Sequence, residues 1–252
     1  MPFTQRIGSR FVPHRSAVRF TPTDIAGLQL WLKADAGLWQ DAAMTTPAVS
    51  DGDVVGAWAD QSGNGNHATQ GTTAAKPLLK LAIKNGKPVV RFDGTDDLLR
   101  IASGLPAGTS PVGVIAVVNP GATLSNEHII MWGSYTANEG CLRFQDGGVG
   151  RVTFQDDGTD ILSVSGFSAA TWYIFASVYD GTNAIIRKNG GQVASAARNK
   201  NIIGTAGDIG TIKGFTAELL SGDLAELLLY DADLSGNIGL VEDYLNSRYA
   251  IY

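Results

Sequence analysis

Carboxylates come first, because two of them facing a sugar can hydrolyse it, whereas several in one loop can hold a cation. The chain has five glutamates, Glu127, Glu139, Glu218, Glu226 and Glu242. Glycoside hydrolysis needs a carboxylate pair about 5–9.5 Å apart, and on a strand such a pair comes from residues two or four apart, which share a face. None of the five stands in a Glu-x-Asp-x-Glu alternation, and Asp223 and Glu226, three apart, read as lying on opposite faces of a strand. No catalytic residue is therefore assigned and the chain is not expected to be an enzyme. Asp156, Asp157 and Asp160 form one acidic loop and Asp93, Asp96 and Asp97 another. Calcium takes six to eight oxygen ligands, so the first loop is the candidate metal site. We favour the simpler account, turn residues bonding their own backbone. No cofactor is expected beyond this one calcium option.

A sugar site combines hydrogen-bonding groups with an aromatic platform. Trp39, Trp132, Tyr135 and Asn138 fall near loop-like segments and are the glycan-binding candidates. Trp31, Trp58 and Trp172 fall in strand patterns and are expected in the core. The glycine- and asparagine-rich loop 62–66 lacks the Lys-Ser/Thr and the following helix of a phosphate cradle. His14, His67 and His128 are isolated in sequence, and the single cysteine, Cys141, reads as a small buried hydrophobe.

Charge is unevenly spread over the 252 residues. Arg6, Arg10, Arg15 and Arg19 against Asp24 leave residues 1–24 at +3, so with a total of −5 the remainder carries −8. An acidic body is a poor electrostatic match for nucleic acid or an anionic membrane. Pro2, Pro13 and Pro22 disfavour helix in the first 24 residues, which read as an extended arm whose four arginines could dock on an acidic partner surface. No apolar run has the form of a secretory signal or the length of a membrane span.

These groups need strands to position them. A charged fraction of only 17% with 31 glycines indicates many strands and tight turns. Alternating or continuous apolar runs at 28–34, 54–60, 88–92, 112–118, 128–133, 141–145, 151–155, 161–164, 172–179, 184–188 and 224–230 are separated by turn residues at sandwich-like spacing. The 112–118 run reads as a strand buried on both faces. Asp180-Gly181 and Asn189-Gly190 mark tight hairpin turns. Only the tail has a helical stripe, at Ile238, Val241, Tyr244, Leu245 and Tyr249.

Four segments carry a resemblance: Leu28-Gln29-Leu30-Trp31-Leu32-Lys33-Ala34-Asp35; Trp58-Ala59-Asp60-Gln61-Ser62-Gly63-Asn64-Gly65-Asn66; Phe92-Asp93-Gly94-Thr95-Asp96-Asp97; and the late pair running from Trp172 to Gly190 and from Gly222 to Glu226. In order and spacing this set resembles the laminin-G-like branch of the concanavalin A-like lectin/glucanase superfamily, in its bacterial and phage form. The resemblance implies an all-β, two-sheet antiparallel jelly-roll sandwich over residues 25–252, with the extended arm at 1–24 and a short C-terminal helix. It also implies scaffold roles for Asp60 and Asn66.

This fold hosts lectins, glycosidases and adhesion modules, so it leaves function open. Bacterial proteins with the domain are usually exported, and no export signal is seen here. The leading expectation is therefore a non-catalytic virion surface protein of a bacteriophage. It would dock on other virion proteins through the arm and display a lectin-like domain to cell-surface or environmental glycans. A free carbohydrate-binding lectin module is the first alternative, and a glycoside hydrolase with an atypical site is the second.

Overall fold

The structure is a computed structural model that describes residues 20–135, 138–154 and 161–252. Seventeen strands are seen among them: β1 (Leu28–Lys33), β2 (Leu38–Trp39), β3 (Ala57–Trp58), β4 (Ala68–Thr69), β5 (Leu78–Lys84), β6 (Lys87–Asp93), β7 (Leu99–Ile101), β8 (Val112–Pro120), β9 (Glu127–Ser134), β10 (Asn138–Gln145), β11 (Val149–Thr153), β12 (Ile161–Val164), β13 (Tyr173–Tyr179), β14 (Asn183–Lys188), β15 (Gly191–Ala197), β16 (Gly207–Ile209) and β17 (Ser221–Tyr230). One helix, α1 (Ile238–Tyr249), follows.

The strands make two antiparallel sheets. Sheet A runs β15-β14-β13-β8-β17-β6-β5, with β1 also paired to β17. Sheet B runs β12-β11-β10-β9-β16-β7-β4-β3-β2. The inner faces enclose the main core, in which Trp58, Phe92, Trp132, Phe144, Phe175 and Leu227 are fully or almost fully buried. This is the expected jelly-roll sandwich with a short C-terminal helix.

A second apolar layer lies outside sheet A. Ile238, Val241, Leu245 and Tyr249, the expected stripe of α1, pack on Trp31, Ile115, Val117, Ile174, Leu228 and Tyr230. Strand β8 is thus covered on both sides, which is why its sequence does not alternate. The Asn189-Gly190 turn takes positive φ at both residues, 50° and 80°, and leads into β15.

Two sequence expectations change. Residues 20–24 belong to the body rather than to the arm: Phe20 stacks edge-on against Tyr244 at 6.3 Å, and the Tyr230 hydroxyl donates to the Pro22 carbonyl at 3.0 Å. Of the 54–60 run only Ala57 and Trp58 are paired as strand, because the flanking residues turn to meet other strands. Residues 1–19, with Arg6, Arg10, Arg15 and Arg19, lie outside the described residues.

The motif residues hold the scaffold together. Asp60 accepts the Trp31 amide at 2.9 Å, the Ser62 amide at 2.9 Å and hydroxyl at 2.7 Å, and the Asn66 amide at 3.0 Å. Asn66 in turn donates to the Gln29 carbonyl at 2.8 Å. The fully buried Glu226 accepts Trp31 Nε1 at 2.6 Å, Arg248 Nε at 3.1 Å and the Tyr249 hydroxyl at 2.8 Å, tying β1, β17 and α1 together.

Candidate functional site

Among the described residues no helix covers the outer face of sheet B, and the outward side chains of β9, β10 and β11 include polar and charged ones. On β10, Leu142 and Phe144 point into the core, so Glu139, Cys141 and Arg143 point out. On β11, Val152 is inward and Arg151 and Thr153 are outward. On β9 a bulge intervenes: Leu142 pairs with Ile130 but Arg143 pairs with His128, leaving Ile129 as the extra residue. Ile129 and Ile130 both enter the core, and His128 and Met131 both face out. Cross-strand register then aligns His128, Arg143 and Arg151 in one row, and Met131, Cys141 and Thr153 in the next.

The loop 210–218 folds over this surface. Ile212 packs on Met131 and Cys141, the Gly214 amide donates to Asp208 at 2.8 Å, and the His128 amide donates to the Glu218 carbonyl at 3.0 Å. Between loop and sheet is a cavity of about 210 Å³ lined by His128, Tyr135, Glu139, Arg143, Arg151, Thr153, Ile161, Ile212 and Glu218. Tyr135, one of the lining residues, pairs with Phe215 of the loop, ring centroids 4.9 Å apart, and the two are 43% and 51% exposed.

Arg143 Nη1 reaches Glu218 Oε2 at 2.5 Å, and His128 Nδ1 lies 3.3 Å from the same oxygen. Burial pushes His128 down to about 3, reinforced by the fields of Arg143 and Arg151. The ring is therefore neutral, and its contact with Glu218 is not an ion pair. Burial pushes the Cys141 thiol up to about 11, so it is a packed hydrophobe rather than a nucleophile. Glu218 itself holds a left-handed backbone, φ 50°, which is uncommon for a residue with a Cβ. The cavity combines charged donors and acceptors with an exposed aromatic pair beside it, an arrangement suited to holding a polar ring.

The four aromatic and amide candidates from the sequence do not form one site. Trp132 is a correction: it is fully buried and its Nε1 donates to the Pro106 carbonyl at 2.9 Å, because the β9 bulge turns it inward. Gly140 is its counterpart, since a Cβ there would collide with the Trp132 indole. Tyr135 lines the cavity as exposed rim. Asn138 instead pins β10 to the 199–203 segment, donating to the Asn201 carbonyl at 2.7 Å. Trp39, half-buried on β2, lines a separate apolar groove with Pro47, Val49, Leu81 and Pro88. Strand β2 lies five strands from β9, roughly 24 Å at about 4.8 Å per strand. Sequence reading missed His128, Glu139, Arg143, Arg151, Phe215 and Glu218. The alternation of residues 139–144 does mark Glu139 and Arg143 as outward, but nothing local marks the loop that covers them.

The acidic groups divide similarly. Asp156, Asp157 and Asp160 lie outside the described residues. Ligand oxygens of Asp93, Asp96 and Asp97 all lie within 4.8 Å of one another, so a cation could in principle sit there. They already serve the turn: Asp93 accepts the Thr95 amide at 2.7 Å and Asp97 accepts the Asp93 amide at 2.9 Å. Burial, then the Asp93 and Asp96 charges, push Asp97 up to about 6. Asp223 and Glu226 are a second correction. A bulge between Leu224 and Glu226 restores Leu227 to the core and turns both carboxylates to the outer face of sheet A. They are nevertheless separately engaged, Asp223 by a bidentate Arg91 at 2.6 and 2.9 Å and Glu226 by Arg248.

No protein-family model matches the sequence, and no curated protein is significantly similar to it. Solved structures do match in shape. Domain 4 of AbnA, an extracellular arabinanase from Geobacillus stearothermophilus solved with arabinotriose, superposes with a TM-score of 0.60 at 14% identity, the match covering 86% of this chain and 98% of that domain. The binding domain of botulinum neurotoxin serotype D gives 0.59 at 12% identity, covering 87% of this chain and 51% of that one. The binding domain of Paraclostridial Mosquitocidal Protein 1 gives 0.59 at 13%, covering 89% and 52%. The shared fold is the two-sheet antiparallel jelly roll. The chain spans about half the length of the toxin binding domains it resembles. At these identities the likeness is one of fold. Among the described residues no helix is long and apolar enough to cross a membrane.

Proposed function

We propose that the chain is a non-catalytic glycan-binding module whose site is the cavity on the outer face of sheet B. The observation that carries this reading is the exposed Tyr135–Phe215 pair at the mouth of a pocket floored by charged hydrogen-bonding groups. Aromatic faces hold the apolar side of a sugar ring while the polar groups take its hydroxyls. The arabinotriose-bound neighbour supports the reading, because the same fold serves a sugar there. A glycan panel screened with the full chain tests it: at least one glycan binds, and Tyr135→Ala or Phe215→Ala weakens that binding about ten-fold, as loss of a central aromatic anchor does. Binding unchanged in both variants would remove the site from this face.

We propose further that the module is displayed on a bacteriophage particle, docked through Arg6, Arg10, Arg15 and Arg19. The +3 of residues 1–24 against the −8 of the rest supports a segment with its own acidic partner. Co-sedimentation with particles from a producing lysate, lost when residues 1–19 are deleted, is the expected outcome. If both forms stay free while binding glycans, the module acts alone.

A further inference from the structure

The helix α1 leaves one end of the outer face of sheet A open. Val117 on β8 and Val89 on β6 belong to the apolar layer it packs on, and Asn119 and Arg91, two residues further along the same strands, stand outside that layer. Cross-strand register sets Asn119, Asp223, Arg91 and Leu78 side by side on β8, β17, β6 and β5. Their chain neighbours Val118, Leu224, Phe92 and Leu79 enter the core, so all four face outward. The row lines a cavity of about 470 Å³, in the size range of small-ligand sites. The turn 93–97, the loop 120–122 and Ala170 complete its lining. The Ala170 amide meets the Pro120 and Gly121 carbonyls at 3.0 and 2.9 Å, and these bonds hold its left-handed backbone, φ 52°. The cavity lies at the Tyr173 end of β13, whereas Phe154 and Ile161 lie at the Tyr179 end, through the Phe154–Tyr179 ring contact and the bond from Arg198 to Ile161.

Donors and acceptors are both unspent here. Asn119 Oδ1 is buried and accepts no hydrogen bond among the described residues. Arg91 gives Nε and Nη2 to Asp223 at 2.6 and 2.9 Å, which leaves Nη1 as a donor on a side chain that is 44% exposed. Asp93 and Asp97 each commit one carboxylate oxygen to amides of the turn and keep the other. Charged groups of both signs thus line the cavity: an anion would meet Asp93, Asp97 and Asp223, and a cation would meet the Arg91 guanidinium. A hydroxyl group carries no charge and both donates and accepts. Leu78, Ala122 and Ala170, all exposed, add apolar surface for the C–H side of a ring.

We infer that this cavity is a second glycan site, which takes an uncharged sugar ring by its hydroxyls, with Asn119 as acceptor and Arg91 as donor. The inference rests on the reading of the chain as a glycan-binding module and adds a site on the opposite sheet. The test is a panel of neutral and charged glycans, arabinotriose among the neutral ones, titrated into the full chain and into the double variant Tyr135→Ala/Phe215→Ala, which lacks the aromatic pair of sheet B. At least one neutral glycan is expected to bind the double variant, with an affinity that does not fall as salt rises. In that background Asn119→Ala removes a buried acceptor that bonds nothing, so it leaves stability intact, and it is expected to weaken binding about five-fold. Ala122→Trp, at an exposed position, fills the cavity and is expected to abolish binding. A double variant that binds nothing while the wild type binds overturns the inference and leaves the sheet B site standing. Residual binding that neither Asn119→Ala nor Ala122→Trp alters overturns it as well. If only charged glycans bind, the inference falls and the module reading stands. If the wild type binds no glycan of any kind, both fall.

Discussion

The two outer faces of the sandwich each carry a buried or half-buried Glu–Arg pair, and the pairs differ in how far solvent reaches them. On sheet A, Glu226 has no exposed surface and meets Arg248, Trp31 and Tyr249 at once. Arg248 also reaches Asp35 at 2.7 Å. The helix α1 seals Glu226, while Asp35 at the edge of the group keeps part of its side chain in solvent. On sheet B, Glu218 meets Arg143 under a loop, with part of its side chain in solvent. A pair closed over by a helix is shut off from solvent; a pair open on one side is within reach of it. What separates them is the layer above the sheet.

Substitution should therefore act on stability at the first face and on binding at the second. The largest expected effect is Glu226→Ala, which leaves the buried Trp31 indole N–H without its acceptor, Arg248 with Asp35 alone and the Tyr249 hydroxyl with only a long contact to the Ala225 carbonyl. A loss of about 3–5 kcal/mol by urea denaturation is expected, with glycan binding per folded molecule unchanged. A loss under 1 kcal/mol would mean that α1 is not held by this group. Trp132→Ala tests the boundary between core and site on sheet B itself. It is expected to cost about 3–5 kcal/mol as a core cavity, and any drop in binding should track the unfolded fraction.

Asp97 gives an intermediate effect with a pH signature. Its folded value of about 6 lies above the ordinary 3.8, so the folded state holds the proton more tightly. The stability this lends is full below pH 4 and is lost as pH rises through about 6. Asp97→Asn keeps an oxygen for the Asp93 amide without the buried charge. It is expected to be about 1–3 kcal/mol more stable than the wild type at pH 7 and equal to it near pH 4. A difference that does not vary with pH would exclude this cause. Calcium that raises the melting point of the wild type and not of Asp97→Asn would instead make the turn a cation site. The smallest stability effect belongs to Tyr135→Ala, expected within about 0.5 kcal/mol of the wild type despite its loss of glycan binding. A larger loss would place Tyr135 in the scaffold with Trp132.

Legibility followed the same division. The helix stripe of α1, the Asn189-Gly190 turn and the continuous apolar run of β8 are local patterns, and each was readable from period and turn chemistry. Strand β5 was not, because its Leu78-Leu79-Lys80-Leu81-Ala82-Ile83-Lys84 is interrupted at Ala82 by a positive φ of 54° that spoils the alternation. Strand β15, Gly191-Gln192-Val193-Ala194-Ser195-Ala196-Ala197, has few large apolar residues because it is an exposed edge. Tyr135, chosen for its loop-like neighbours, is exposed and lines the cavity. The same reasoning chose Trp132, three residues earlier, and failed, since only the bulge at Ile129 decides which way β9 faces from there.

By itself the sequence determined the fold class, the two hairpin turns, the helix and the scaffold roles of Asp60 and Asn66, because these follow from periods and bonds that span a few residues or recur as motifs. The tertiary structure alone decided which carboxylates meet which arginines and which aromatics reach solvent. Those outcomes depend on bulges, where one extra residue reverses the face of all that follow, and on which sheet face another layer happens to cover.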